Sequence, residues 1–211
     1  NNLAWKAPIP GRGHSSPTVV GKRVFLTSAD ETSKTQLALC FDRETGKLNW
    51  QVQLHQGGFD HNNKKNSFAS STIACDGERV FVVFWSQGAI WTTALDLAGK
   101  QLWRVRVADF VSHQGYSSSP AIYQDFVLIA ADSKGKGTSC LVALDRKTGK
   151  QAWQIMRPKM PNYVSPTIFQ VAGKDQLLMA GCDVMSGFDP RNGKVIWECP
   201  GSTTECVGSV V

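Results

Sequence analysis

Four histidines, at positions 14, 55, 61 and 113, are the side chains best suited to acid–base or metal chemistry in this 211-residue chain. His55 and His61 flank Asp60, a donor set that suits a metal ion, yet the spacing matches no compact ligand pattern and no metal site is predicted. Serines gather at 15 to 16, 70 to 71 and 117 to 119. A serine nucleophile needs a base within hydrogen-bond reach. Each of these groups instead opens what reads as an innermost strand, where small hydroxyl residues permit close packing, so no catalytic set is predicted. The six cysteines, at 40, 75, 140, 182, 199 and 206, contain no Cys-x-x-Cys pair, which indicates neither a zinc ribbon nor a thioredoxin-type site. Cys199 and Cys206 flank one loop and either form a local disulfide or stay free as small buried thiols.

Four aspartates return in one setting. Asp42, Asp96, Asp145 and Asp189 each follow a small residue and an apolar one, and each leads through a short turn and Gly-Lys to Trp50, Trp103, Trp153 and Trp197. The tryptophans are 103 − 50 = 53, 153 − 103 = 50 and 197 − 153 = 44 residues apart, and Trp5 lies 45 before Trp50. Repeated carboxylates at turn positions are structural: Asp bonds the backbone two residues on, and Gly supplies the positive φ of a tight turn.

Around each turn lie short runs rich in Val, Ile, Phe and Leu, such as Val80 to Trp85 and Phe126 to Ala130, bounded by second turns at 21–22, 76–77, 124–125 and 173–174. That makes four strands per repeat. The central runs are apolar on both sides of the pleat, as expected of a sheet sandwiched between two others. A period of 40 to 50 residues with four strands predicts an all-β propeller of four-stranded antiparallel blades. The expected blades are 15–54, 67–107, 117–156 and 165–199. Residues 3–10 read as the last strand of a preceding blade and 205–211 as the first strand of a following one.

The pattern small-x-Asp-x-x-x-Gly-x-x-x-Trp, at full spacing from Cys40, Ala143 and Gly187 and one residue shorter from Ala94, resembles the tryptophan-docking repeat of quinoprotein propellers. That PQQ-like family includes pyrroloquinoline quinone (PQQ) alcohol dehydrogenases and non-catalytic members of the BamB type. The stretches 10–17 and 65–72 further resemble a bacterial, planctomycete-type group of quinone-like repeat proteins. The resemblance implies a ring of seven or eight blades, of which this chain would supply about half, and a periplasmic or other extracytoplasmic location. It implies that Trp5, Trp50, Trp103, Trp153 and Trp197 dock one blade on the next. It also implies a choice between a scaffold without cofactor and a dehydrogenase holding PQQ with calcium; a third reading is the sensor portion of a signalling chain. The family's dehydrogenases often place a disulfide of adjacent cysteines over the quinone, and no Cys-Cys pair occurs here.

Loops between blades carry the usual propeller site around the channel mouth. Here they read as 8–14, 55–66, 108–116, 157–163 and 200–206, and all four histidines fall in them. Arg12, His14, His61, Lys65, His113, Tyr116, Arg157 and Tyr163 are the candidate rim, mildly basic and suited to an acidic ligand or to a protein or polymer partner. The bland alternative is that loops collect polar residues.

The remaining arithmetic sets bounds. Lys plus Arg exceed Asp plus Glu by 23 to 17, a net charge of +6 without a basic run, so nucleic acid is not an expected partner. The longest apolar run, Val80 to Trp85, is far below the roughly 20 residues a membrane-spanning helix needs. Half a ring would leave apolar blade faces uncovered, which predicts self-association, one form being two copies about a two-fold axis.

Overall fold

The computed structural model describes residues 2–59, 63–208 and 210. His61 and its neighbour Asp60 lie outside the described residues. Sixteen strands make four antiparallel sheets, each of four strands in chain order. Blade 1 contains β1 (Thr18–Val20), β2 (Arg23–Asp30), β3 (Thr35–Asp42) and β4 (Leu48–Gln56). Blade 2 contains β5 (Ala74–Cys75), β6 (Arg79–Ser86), β7 (Ala89–Asp96) and β8 (Gln101–Asp109). In blade 3 are β9 (Ala121–Tyr123), β10 (Phe126–Ala131), β11 (Cys140–Asp145) and β12 (Gln151–Met156). Blade 4 is built from β13 (Thr167–Val171), β14 (Lys174–Met179), β15 (Val184–Phe188) and β16 (Val195–Pro200). The first strands of neighbouring blades adjoin one another. Among the described residues no helix is long and apolar enough to cross a membrane.

The pleat explains why the middle strands are apolar throughout. In β6, Val80, Val82 and Phe84 pack with Phe25, Ala38 and Cys40 of blade 1. Their alternates Phe81, Val83 and Trp85 pack with Val127, Ile129 and Val142 of blade 3. Leu128, Ala130, Leu141 and Ala143 then meet Leu177, Met179 and Phe188 of blade 4. Period-2 alternation thus sends each central strand's side chains to two different neighbours. The outer strands β4, β8, β12 and β16 face one neighbour only, and their burial alternates.

The recurrent geometry of the turns follows from local bonding. Asp145 Oδ1 accepts from the backbone N–H of Lys147 at 3.0 Å and Thr148 at 2.8 Å, and from Thr148 Oγ1 at 2.8 Å. Asp42 makes the same three bonds in blade 1. These bonds hold both carboxyls below their ordinary range, the Thr hydroxyl being the largest cause. Arg191 does the same for Asp189, down to about 2.

Residues 3–10 and the described part of 205–211 are not in strands, yet Trp5 Nε1 donates to the Arg43 carbonyl at 2.7 Å as Trp50 Nε1 does to that of Leu97 at 3.0 Å. A strand needs a ladder partner, and each outer strand pairs only within its own four-stranded sheet. The N-terminal segment nevertheless lies on blade 1: Ala7 packs on Val24, Leu37, Leu39 and Phe41, so that blade's free face is not bare. On the far side of blade 4, Val195 and Ile196 are about half exposed.

Candidate functional site

The loops that lead into each blade converge at one end of the sheets on an open cavity of about 630 Å³. His14 reaches it from the segment ahead of blade 1, and Asn63, Lys65, Asn66 and Ser70 from the loop into blade 2. Gln114 and Ser117 come from the loop into blade 3, Tyr163 from the loop into blade 4, and Glu205 and Val207 from beyond it. Hydrogen bonds cross between these loops. Asn63 Nδ2 donates to Gln114 Oε1 at 2.5 Å and Asn66 Nδ2 to the Gln114 carbonyl at 2.7 Å. Asn66 Oδ1 in turn accepts from Ser67 N–H at 2.8 Å and Ser70 Oγ at 2.5 Å. The His14 N–H is held by the Ala69 carbonyl at 3.0 Å.

Of the candidate rim, His14, Lys65 and Tyr163 line this cavity. Arg12 stands beside it, exposed, its guanidinium donating to the Lys64 carbonyl at 3.4 Å. His113 bridges two groups: Nε2 is 3.8 Å from Glu205 Oε1, and Nδ1 is 3.3 Å from Lys134 Nζ. The structure places the other two elsewhere. Tyr116 is buried in the core between blades 2 and 3, and its hydroxyl donates to the Ala130 carbonyl at 3.0 Å. Burial raises its phenol well above the ordinary range. Arg157 is buried and binds Asp132 with both Nε, at 2.6 Å, and NH2, at 3.1 Å. Burial pulls this guanidinium down and the Asp132 carboxylate pushes it up, with a net rise. Asn162 donates to the same carboxylate at 2.9 Å and to the Ala180 carbonyl at 2.7 Å, which fastens the loop that presents Tyr163.

His55 belongs to the end of β4 and not to the rim. It is buried against Phe84 and Trp91, and its Nδ1 faces Arg104 NH2 at 2.8 Å. Desolvation and then Arg104 depress its pKa to about 3. All six cysteines are free thiols, Cys199 exposed and Cys206 partly so. The amides Asn63, Asn66 and Gln114 and the carboxylate Glu205 were not among the sequence candidates. Their only sequence signal is their position in the same inter-blade loops.

Among the described residues the mouth presents amides and hydroxyls, the cation Lys65, His14 and one carboxylate, Glu205, which faces His113. Calcium takes six to eight oxygen ligands with carboxylates among them. Among the described residues no three His, Cys, Asp or Glu side chains converge on one point. Among the described residues the mouth offers calcium one carboxylate, Glu205, and the amide oxygens Asn63 Oδ1, Asn66 Oδ1 and Gln114 Oε1, each of which already accepts a hydrogen bond.

Four-stranded blades with adjoining first strands and a polar loop mouth define a β-propeller of the PQQ-like repeat class. The family described as outer membrane protein assembly factor BamB matches residues 1–57 and 34–206, and the chain belongs to that family. Among solved structures, BamB from Moraxella catarrhalis superposes with a TM-score of 0.64 at 16% identity, over 94% of this chain and 55% of that one. Two curated relatives are a polyvinylalcohol dehydrogenase of a Pseudomonas species and a lanthanide-dependent methanol dehydrogenase of Methylacidiphilum fumariolicum. The first is 26% identical over 96% of this chain and 32% of its own length. The second is 27% identical over 72% of this chain and 24% of its own. The chain thus spans about a third or less of the curated relatives it matches.

Proposed function

We propose that this protein is a non-catalytic PQQ-like propeller that binds a protein or polymer partner through its loop mouth, acting as a scaffold or assembly factor outside the cytoplasm. The observation that carries the reading is the mouth itself. Loops of every blade meet there, hold one another through Asn63, Asn66 and Gln114, and line one open cavity with Lys65, His14 and Tyr163. Membership in the BamB family supports the same reading. The test is site-specific photo-crosslinking in cells, with the probe at position 65 or 14 on the mouth and at 147 on the opposite turn face. A discrete adduct from the mouth positions alone is expected. No adduct, or equal labelling from 147, overturns the reading.

The names of the curated relatives favour a second reading, a quinone-dependent dehydrogenase. It is tested by titrating the protein with PQQ, with and without calcium, by calorimetry and cofactor absorbance. Calcium-dependent saturable binding would replace the scaffold reading. Self-association through the half-exposed Val195 and Ile196 side of blade 4 is a further part of the proposal, and a monodisperse monomer in light scattering would remove it.

A further inference from the structure

The β1–β2 and β5–β6 hairpins are equivalent in register. Val20 pairs with Arg23 across a two-residue turn, and Asp76 bonds Arg79 across another. In blade 2 the arginine is matched: Arg79 NH1 lies 3.3 Å from Asp76 Oδ2 and 2.9 Å from Glu78 Oε2. Arg146, from the β11–β12 turn of blade 3, reaches the same Asp76 oxygen at 3.5 Å. The Asp76 side chain, 2% exposed, is thus enclosed by two guanidiniums.

Blade 1 replaces every anion of this arrangement. Val20 stands where blade 2 has Asp76 and Lys22 where it has Glu78, while Leu97 takes in blade 2 the turn position that Arg146 takes in blade 3. Val20 and Leu97 join the apolar cluster between blades 1 and 2, so the ion pair across one blade interface becomes an apolar contact across the other. Lys22 and Arg23 give the 20–23 turn a charge of +2, whereas Asp76, Glu78 and Arg79 give 76–79 a charge of −1. Among the described residues Arg23 forms no ion pair. It lines an open cleft of about 570 Å³ between blades 1 and 2, with Lys22, Asn49, Trp50, Leu97 and Asp42. Lys22 pairs with the exposed Glu44, at 3.5 Å. Asp42 Oδ1 is taken up by the N–H groups of Glu44 and Thr45.

We propose that this cleft binds a carboxylate-bearing ligand, its acid group on Arg23 as Asp76 lies on Arg79, and its apolar body on Leu97 and Trp50. The guanidinium fork suits a carboxylate. The Asp42 carboxylate on the wall disfavours a doubly charged phosphate. The site is independent of the mouth and of the scaffold reading.

The test titrates the protein with benzoate, acetate and inorganic phosphate by calorimetry, alongside the arginine Nε–H resonances, with Arg23→Gln assigning the Arg23 signal. Benzoate is expected to saturate the Arg23 resonance and to bind more tightly than acetate or phosphate. Arg23→Gln weakens binding about tenfold or more, as loss of a charge-assisted bond does. Val20→Asp, which supplies the carboxylate from within the hairpin, also weakens benzoate about tenfold while the Arg79 resonance stays put. The proposal is overturned by an unmoved Arg23 resonance, by phosphate binding more tightly than benzoate, or by full binding in either hairpin variant.

Discussion

The backbone N–H of Thr72 in blade 2 donates to Ser119 Oγ in blade 3 at 2.9 Å. The same bond recurs one blade earlier, from Ser16 N–H to Thr72 Oγ1 at 2.9 Å, and one blade later, from Ser119 N–H to Ser165 Oγ at 2.8 Å. Each residue stands two positions ahead of its blade's first strand, so the innermost segments of blades 1 to 3 donate an N–H forward and those of blades 2 to 4 offer a hydroxyl backward. The serine-rich starts of the repeats are therefore joints between blades. They satisfy backbone N–H groups that would otherwise point along the axis without a ladder partner.

Removing one hydroxyl should loosen one joint. Ser119→Ala leaves the Thr72 N–H without its acceptor and is expected to cost about 1–3 kcal/mol. Urea denaturation read by tryptophan fluorescence measures it, and a change within ±0.5 kcal/mol would mean that water replaces the hydroxyl at no cost.

The blade repeat was legible in the sequence because its signal is local. The Asp145 carboxylate bonds groups two and three residues away, so turn chemistry shows within one short window. The mouth was legible only in part. His14, Lys65 and Tyr163 stand out as polar or aromatic loop residues, but so do Tyr116 and Arg157, which point inward to Ala130 and Asp132. A loop side chain's direction is set by partners 14 to 25 residues away, and no local pattern encodes it. The amides that build the mouth meet across 48 to 51 residues and have no period or charge to mark them.

Four of the five repeated tryptophans, Trp5, Trp50, Trp103 and Trp153, lie on the turn of the next blade. Trp103 Nε1 donates to the Arg146 carbonyl at 3.1 Å, and a Cβ at Gly149, whose φ is +72°, would sit 2.8 Å from its ring. Trp5 and Trp50 make the same bond to Arg43, at 2.7 Å, and to Leu97, at 3.0 Å. The fourth turn has Pro190 at this position, and Trp153 Nε1 finds no partner although its ring lies on Gly193. Trp197 bonds Gln176 within its own blade at 2.6 Å. Trp103→Ala is expected to destabilise by about 3–5 kcal/mol, and Trp197→Ala by clearly less. Gly149→Ala should cost more than 1 kcal/mol, about what an Ala forced to positive φ loses. It should be non-additive with Trp103→Ala in a double-mutant cycle. Additive costs would show that ring and glycine do not support each other.

Arg157 and Asp132 present a buried pair whose halves cannot be removed singly. Arg157→Met leaves the Asp132 carboxylate without its guanidinium and is expected to cost about 3–5 kcal/mol. Arg157→Met with Asp132→Asn should recover much of that, since a neutral carboxamide needs no counter-charge. Denaturant midpoints report both. A double variant no more stable than Arg157→Met would assign the loss to packing around Cys182 and not to charge.

His55 sets one window of acid sensitivity. Its folded-state pKa, about 3, lies below the ordinary value of 6.5, so the unfolded chain takes up the proton first as pH falls. The stability contributed by its neutral form is complete above about pH 6.5 and is lost progressively toward pH 3, at up to about 1.4 kcal/mol per pH unit. The turn carboxylates of Asp145 and Asp189 are lowered as well, and their contributions, present above about pH 4, are lost only in a lower range. The two windows separate between pH 7.5 and 4.5, where His55 acts and the lowered turn carboxylates do not. Urea midpoints over that range are expected to fall in the parent protein and to stay nearly level in His55→Gln, whose amide still offers Arg104 an acceptor and does not titrate. Equal slopes in the two proteins would place the acid sensitivity in another group and leave His55 as packing against Phe84 and Trp91 alone.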